Sequence, residues 1–261
     1  SNDLPFKQRW SKDRVPYIAL SNCCPPNVVR TLAELNNYLY SVSDKGLYFN
    51  LYGGNSLSTR LADGTAISLK QETNYPWDGN IKVTLNKTGN KPYGLYFRIP
   101  GWANGAKIMV NGKAFETLAS PGTYAAVNRT WKAGDIVELV LPMEAQLIES
   151  NPLVEENRNQ VAVKRGPVVY CLESKDFEGK SIFNAVIPSS IALKAIPTTI
   201  GGAAVMSLEG NAKLREKTDW TNTLYHPISK NNETTPIKLV PYFTWGNRGH
   251  SEMSVWLPLS R

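Results

Sequence analysis

The sequence holds only two histidines, His226 and His250, and three cysteines among 261 residues. So few imidazoles exclude a histidine-rich metal site, and three thiols cannot make a paired disulfide framework. Zinc-finger spacing, Cys-x-x-Cys and Glu-x-Cys are all missing. No apolar run approaches the roughly 20 residues that a membrane-spanning helix needs, so no membrane partner is expected. The opening "SNDLPFKQRW" lacks the charged-then-apolar layout of a signal peptide, so an export signal is expected to be absent or removed. Serine-centred triads have no nucleophile-elbow signature to support them, and there is no tandem repeat or low-complexity tract.

What is present is a turn-rich globular composition, 42% apolar and 10% aromatic, with 19 Gly and 17 Pro. The length suits two domains of ordinary size. A net charge of +7 and a pI near 9.2 raise the question of nucleic acid. The basic residues, however, are scattered singly through strand-like segments, with no basic helix and no RNP-type motif, so no nucleic-acid partner is expected. A solvated surface, or a face turned to an acidic partner domain, accounts for the charge.

One helix reads clearly. After Pro25 and Pro26, the residues Val28, Leu32, Leu35 and Leu39 recur at spacings of four, three and four and form one apolar stripe. This helix is expected to run to "SVSDKG" with Gly46 as its stop. A short strand at "PYIAL" is expected before it. From Gly46 the period changes to two, since Leu47, Phe49 and Leu51 alternate with Tyr48, Asn50 and Tyr52. Strands are expected at 66–72, 81–86, 94–100, 106–112, 124–129 and 135–142. Asp78-Gly79 and Asn111-Gly112 should supply tight hairpin turns with positive φ. A second β region covers 160–174, 181–187, 237–247 and 251–259, with long loops expected across 200–235. The spacing of the first region points to a sandwich rather than an open sheet, and the organisation is one helix followed by two β units, meeting near "MEAQLIESNPLVEEN".

Cys23 and Cys24 stand side by side in "SNCCPPNVVR", just before the helix. Adjacent cysteines have three fates: a strained vicinal disulfide, two unremarkable thiols, or a soft metal site. A helix N-terminus favours thiolate, the form that acts as nucleophile and zinc ligand. Zinc bound to both would sit about 2.3 Å from each sulfur and require two further ligands. Cys171, in the apolar run "VVYCLE", reads instead as a buried inert thiol. Glu149, Glu155 and Glu156 fall in the junction and read as a solvated linker rather than a paired-carboxylate site. Trp77 and Trp102, placed at turns, are candidate sugar-stacking platforms weighed against ordinary packing, and Trp256 reads as core. The glycosylation sequons at Asn86, Asn128 and Asn232 carry no weight.

The segments "SNCCPPNVVR", "LYFRIPGWANGAKIMVNGK", "NRTWKAGDIVELVLPM", "NQVAVKRGPVVYCLES" and "VPYFTWGNRGHSEMSVWLPL" together resemble the C-terminal part of glycoside hydrolase family 127 and its relative family 146. These are retaining β-L-arabinofuranosidases of plant-glycan degradation. The resemblance implies a mainly β chain: two β-sandwich domains preceded by one helix left over from an (α/α)6 barrel. Residues 1–43 would be the end of that barrel, with sandwiches at 44–145 and 146–261. It also implies that Cys23 is the catalytic nucleophile and a zinc ligand, and that Cys24 is a second zinc ligand. Cys23 sulfur would attack the anomeric carbon while a glutamic acid protonates the leaving oxygen and later activates water. The barrel carries that glutamate and the remaining Glu-x-Cys zinc ligands, and it has no counterpart in these 261 residues. The chain alone is therefore expected to be a catalytically inactive fragment that binds zinc weakly. The implied partner is an arabinose-containing plant glycan, with a homodimer through a β-sandwich domain as an option. A reduced zinc thiolate suits the bacterial cytoplasm, or the periplasm if metal protects it. The competing expectation is a non-catalytic β-sandwich module for glycan binding or oligomerisation.

Overall fold

The structure is a computed structural model that describes residues 23–177, 179–215, 221–227 and 233–261. The "PYIAL" segment and Asn232 lie outside the described residues. Packing divides the rest into two units, 23–143 and 144–261.

The first unit opens with helix α1 (Cys24–Glu34) and a short helix α2 (Asn36–Leu39). Ten strands follow: β1 (Tyr40–Ser43), β2 (Gly46–Phe49), β3 (Asn55–Arg60), β4 (Ala66–Thr73), β5 (Asn80–Lys87), β6 (Tyr93–Arg98), β7 (Lys107–Val110), β8 (Lys113–Ala114), β9 (Tyr124–Arg129) and β10 (Ile136–Val140). They form a four-stranded sheet, β1-β2-β6-β9, and a six-stranded sheet, β3-β4-β5-β10-β7-β8. Alternation along each strand sends one face inward. Leu47, Phe49, Leu95, Phe97 and Val127 from the smaller sheet share a core with Ile67, Leu69, Val83, Ile108, Val137 and Leu139 from the larger. This is a β-sandwich. Phe49 and Phe97 stack across the parallel β2–β6 pair at 4.4 Å, and buried Trp131 donates its indole N–H to the Tyr93 carbonyl at 3.0 Å.

Three local expectations are corrected here. The helix does not reach Gly46: it gives way at Tyr40 to β1, which pairs antiparallel with β2. Tyr40 is drawn into the sheet because its ring packs edge-on against Phe49 at 5.2 Å while its hydroxyl donates to Asn55 Oδ1 at 2.7 Å. Gly46 lies in β2, where its φ of 140° and a Cβ that would stand 2.0 Å from the Gly94 carbonyl oxygen both require glycine. Asn111 and Gly112 do adopt positive φ, 52° and 75°, between β7 and β8, but Gly79 does not. Gly79 is instead a close-approach glycine, since a Cβ there would meet the Leu141 carbonyl oxygen at 1.8 Å.

The second unit contains β11 (Ala145–Ile148), β12 (Gln160–Arg165), β13 (Val168–Glu173), β14 (Ala185–Pro188), β15 (Lys194–Ile200), β16 (Ala203–Leu214), β17 (Thr234–Pro241), β18 (Met253–Ser254) and β19 (Leu257–Ser260). The hydrogen-bonded order is β11-β12-β19-β14-β16-β17-β13-β18, and a β12–β13 pairing closes the path on itself. Closure removes the open edges of the strands it joins. Val161, Val163, Tyr170, Leu172, Ile187, Leu208, Leu239 and Leu257 are buried among them. The loops expected across 200–235 are thus corrected: Ala203–Leu214 is a 12-residue strand pairing with β17 on one side and with β15 and β14 on the other.

A buried ionic cluster ties the segment after β17 to the end of β13. Glu173, fully buried, accepts from the Arg248 guanidinium, from Ser251 Oγ at 2.8 Å and from the Gly246 N–H at 3.1 Å. Asp176 takes the other side of the same guanidinium, with Arg248 Nη1 donating to Oδ1 at 2.9 Å. Two carboxylates around one arginine satisfy charges that burial alone would make costly.

Candidate active site

Cys23 is the N-cap residue of α1 and Cys24 its first residue, so both sulfurs stand at the exposed start of the helix. The local sequence holds them there. Pro25 and Pro26 fit the first turn, where a missing N–H costs nothing. Asn27 donates twice to the Cys23 carbonyl, from its backbone N–H at 3.2 Å and from Nδ2 at 2.7 Å. Arg30 then donates to Asn27 Oδ1 at 2.7 Å, and Thr31 Oγ1 donates to the Asn27 carbonyl at 2.8 Å. Asn27 and Arg30 therefore orient the peptide that joins the two cysteines. Sequence reasoning passed over both, although an Asn four residues after the first cysteine is the signal that finds them.

The dipole reading of this helix start needs correction. Residues 25 and 26 are prolines with no N–H, and the Asn27 N–H is already given to Cys23. The first turn has little free donor capacity to offer a thiolate, so any stabilisation of negative charge on sulfur has to come from another group.

The two Sγ atoms lie 3.4 Å apart, and none of the three cysteines is in a disulfide. Two sulfurs on one tetrahedral zinc, each at about 2.3 Å, would stand about 3.8 Å apart. The pair therefore fits two positions of such a site after a small rotation of one side chain. The other two ligands are not supplied: among the described residues no group of three or more His, Cys, Asp or Glu side chains comes together. His226 and His250 are both exposed in the second unit.

The remaining candidates resolve into structure. Cys171 is 1% exposed, and burial, reinforced by the charges of Glu173 and Asp176, pushes its thiol up to about 12. Glu149 pairs with Arg261 at 2.8 Å and Glu155 with Arg158 at 3.0 Å, while Glu156 sits beside Glu155 in a single exposed turn. Trp77 and Trp102 are half-buried, and Trp102 packs against the core of the first unit. Trp256 is also half-buried and lies in a bend rather than on a strand. The stripe of α1 is exposed among the described residues, with Val28 at 59% and Leu32 at 66%.

Comparison with known proteins agrees with this layout. Residues 46–143 match the family model for the "Beta-L-arabinofuranosidase, GH127 middle domain", and residues 145–258 match the "Glycoside hydrolase family 127 C-terminal domain". The chain is 29% identical, over 97% of its length, to a non-reducing end β-L-arabinofuranosidase of Bifidobacterium longum subsp. longum, and spans 39% of that relative. A solved structure titled only "Glycoside hydrolase" superposes with a TM-score of 0.93 at 50% identity, over all of this chain and 43% of the other. A GH127 β-L-arabinofuranosidase from Geobacillus stearothermophilus T6 superposes at 0.89 with 33% identity, over 99% of this chain and 40% of that one. The chain thus spans about two fifths of the length of these relatives. With consecutive middle and C-terminal domain models matched from residue 46 to residue 258, and solved members superposing on the two β units, the chain belongs to glycoside hydrolase family 127.

Proposed function

We propose that this chain is part of a retaining β-L-arabinofuranosidase acting on arabinose-containing plant glycans, with Cys23 as its nucleophile. The observation that carries the reading is the exposed sulfur pair, 3.4 Å apart at the start of α1, immediately upstream of the two family-matched units. The relatives' names support the glycosidase class.

In this reading the Cys23 thiolate attacks the anomeric carbon; a C–S bond forms as the glycosidic C–O bond breaks. The departing oxygen takes a proton from a carboxylic acid. Water, deprotonated by the resulting carboxylate, then attacks the same carbon, the C–S bond breaks, and the thiolate and the acid are regenerated. Two inversions give net retention. Asn27 and Arg30 act as positioning residues, because they fix the carbonyl of Cys23 and hence the direction of its side chain. Cys23 and Cys24 would hold zinc, which when bound keeps both sulfurs as thiolates and supplies the charge stabilisation that the proline-rich first turn lacks. The acid and the other zinc ligands are not found beside the cysteines among the described residues, so the 261-residue chain by itself should not turn over substrate.

The test uses the full reading frame that encodes this chain, assayed on an aryl β-L-arabinofuranoside. Cys23→Ala should abolish turnover with the fold intact. Full activity in that variant would leave the non-catalytic module as the better reading.

A further inference from the structure

Among the described residues neither α1 nor α2 buries a side chain, so the helix that begins at the cysteines is aimed by the joint where it enters the first sandwich. Leu35, between the two helices, keeps helical angles of −52° and −37°, and the Tyr38 N–H donates to its carbonyl at 3.1 Å. Cys24 and Tyr40 are therefore the two ends of one nearly unbroken lever, about 24 Å long at about 1.5 Å per residue. A tilt of about 5° at Tyr40 would carry the sulfurs about 2 Å.

That joint is pinned from both faces of the β1–β2 pair. On the inner face the Tyr40 ring rests on Phe49, and its hydroxyl donates to Asn55 Oδ1 at 2.7 Å. Asn55 Nδ2 donates to the Gly53 carbonyl at 2.7 Å, and Gln71 Nε2 donates both to that carbonyl at 2.9 Å and to the Tyr40 oxygen at 3.3 Å, which closes a ring of hydrogen bonds. Gln71 is 1% exposed and its Oε1 has no partner among the described residues, so this amide is kept inside for what it donates. Burial pushes the Tyr40 hydroxyl up to about 12, which keeps it a donor at working pH. On the outer face Asn50 commits all four of its polar groups. Its N–H donates to the Leu39 carbonyl at 2.9 Å and its Nδ2 to Ser41 Oγ at 2.8 Å, while its Oδ1 accepts from the Tyr124 hydroxyl at 2.7 Å and its carbonyl from Arg98 Nε at 2.5 Å. Leu39 ends α2, and Arg98 and Tyr124 belong to β6 and β9, so Asn50 ties the end of the helix to the far side of the sheet.

We propose that Tyr40, Gln71 and Asn50 are positioning residues for the sulfur pair: they set the direction of the helix that presents Cys23 and Cys24, and make the first sandwich its mount. A misplacement of about 1 Å costs a nucleophile up to about a hundredfold in rate, so a lever of this length needs a stiff root. Ladder pairing alone leaves that root on β1, a four-residue strand at the edge of its sheet. The hydrogen-bonded ring beneath it and the Asn50 clamp above it supply the stiffness that the edge lacks. That the aim serves catalysis rests on the hydrolase reading; the mounting itself does not.

Two measurements test this. In the 261-residue chain carrying Cys23→Ser and Lys113→Cys, nitroxides on Cys24 and at exposed position 113 of β8 report the direction of the helix by double electron–electron resonance, with buried Cys171 left unlabelled. The distance distribution should be narrow, and Tyr40→Phe or Asn50→Ala should widen it about twofold or more. Asn50→Asp, whose carboxylate takes both the Ser41 and the Tyr124 hydroxyl, should restore it. Trp131→Phe, which deletes a buried hydrogen bond at the opposite end of β6 and β9, should lower the melting temperature and leave the distribution unchanged. In the full reading frame, Tyr40→Phe and Asn50→Ala should lower kcat about tenfold with KM unchanged, and Trp131→Phe should leave kcat as it is. A broad distribution in the parent, one that neither joint variant alters, or one that Trp131→Phe alters equally would overturn the mount. Full kcat in both joint variants would overturn its positioning role. The distance measurement needs no turnover, and Cys23→Ala leaves the joint intact, so failure of the hydrolase reading and failure of this one are separable.

Discussion

Cys23 Sγ and Cys24 Sγ lie 3.4 Å apart on consecutive residues, both exposed and neither in a disulfide. A donor pair so placed can chelate a soft cation, but two ligands are half of a tetrahedral zinc site. The 261-residue chain should therefore bind zinc only weakly. Titration with cobalt(II) as a spectroscopic stand-in should give sulfur-to-metal charge-transfer absorption that is lost in Cys23→Ser and Cys24→Ser, and that a mild chelator removes at once. Tight, chelator-resistant binding to this chain would contradict the two-ligand reading.

The third cysteine should behave differently. Cys171 is buried and its thiol is pushed up to about 12, so at pH 8 it is neither accessible nor ionised. Native protein should give two equivalents of thiol to an alkylating reagent, mapped by mass spectrometry to Cys23 and Cys24, with the third appearing only on denaturation. Labelling of Cys171 at a native rate would show that the second unit opens readily.

Glu173 is where stability of the second unit is most exposed to a single change. Its removal as Glu173→Ala leaves Arg248 short of a partner and strips an acceptor from Ser251 and Gly246. The expected loss is about 3–5 kcal/mol in chemical denaturation. A loss of about 1 kcal/mol or less would mean that Asp176 alone satisfies the guanidinium.

In the first unit Asp135 carries an acid-sensitive contribution. Burial works to raise its carboxyl, but the Lys132 N–H, the Asn111 amide and the Arg129 charge outweigh it and hold the group below its usual value. A depressed folded value means stability that is complete above the unfolded value of about 3.9 and is lost as pH falls through the folded one. Asp135→Asn should therefore be less stable than wild type at pH 7, with the gap narrowing toward pH 2. A gap that is constant with pH would remove the ionic explanation.

Much of the fold was legible because half-buried strands write their period into the sequence, as in "IKVTLN" and "YAAVNR", and because Asn111-Gly112 names its own turn. Strand β1 was lost for a different reason. Its alternation, Tyr40 and Val42 against Ser41 and Ser43, is present, but it follows the helical stripe without a break, and the decisive contacts to Phe49 and Asn55 are tertiary. Strand β16 hides better still: its buried Val205, Leu208 and Ala212 fall at spacings of three and four, like a helix, and Gly210 is a glycine for close packing rather than for a turn. At the site, the cysteines announced themselves by their rarity. Asn27 and Arg30 did not, because a positioning role exists only once the helix is formed.

Cys23 is asked to do the chemistry, and one comparison separates that claim from every structural role it could have. In the full reading frame encoding this chain, Cys23→Ala and Cys23→Ser are assayed on an aryl β-L-arabinofuranoside, and the wild type is incubated with a haloacetamide derivative of the same sugar. Turnover should fall by at least about a thousandfold in both variants, and the sugar should be found covalently on Cys23, protected by substrate. Retained turnover in either variant, with no label on Cys23, would contradict the account.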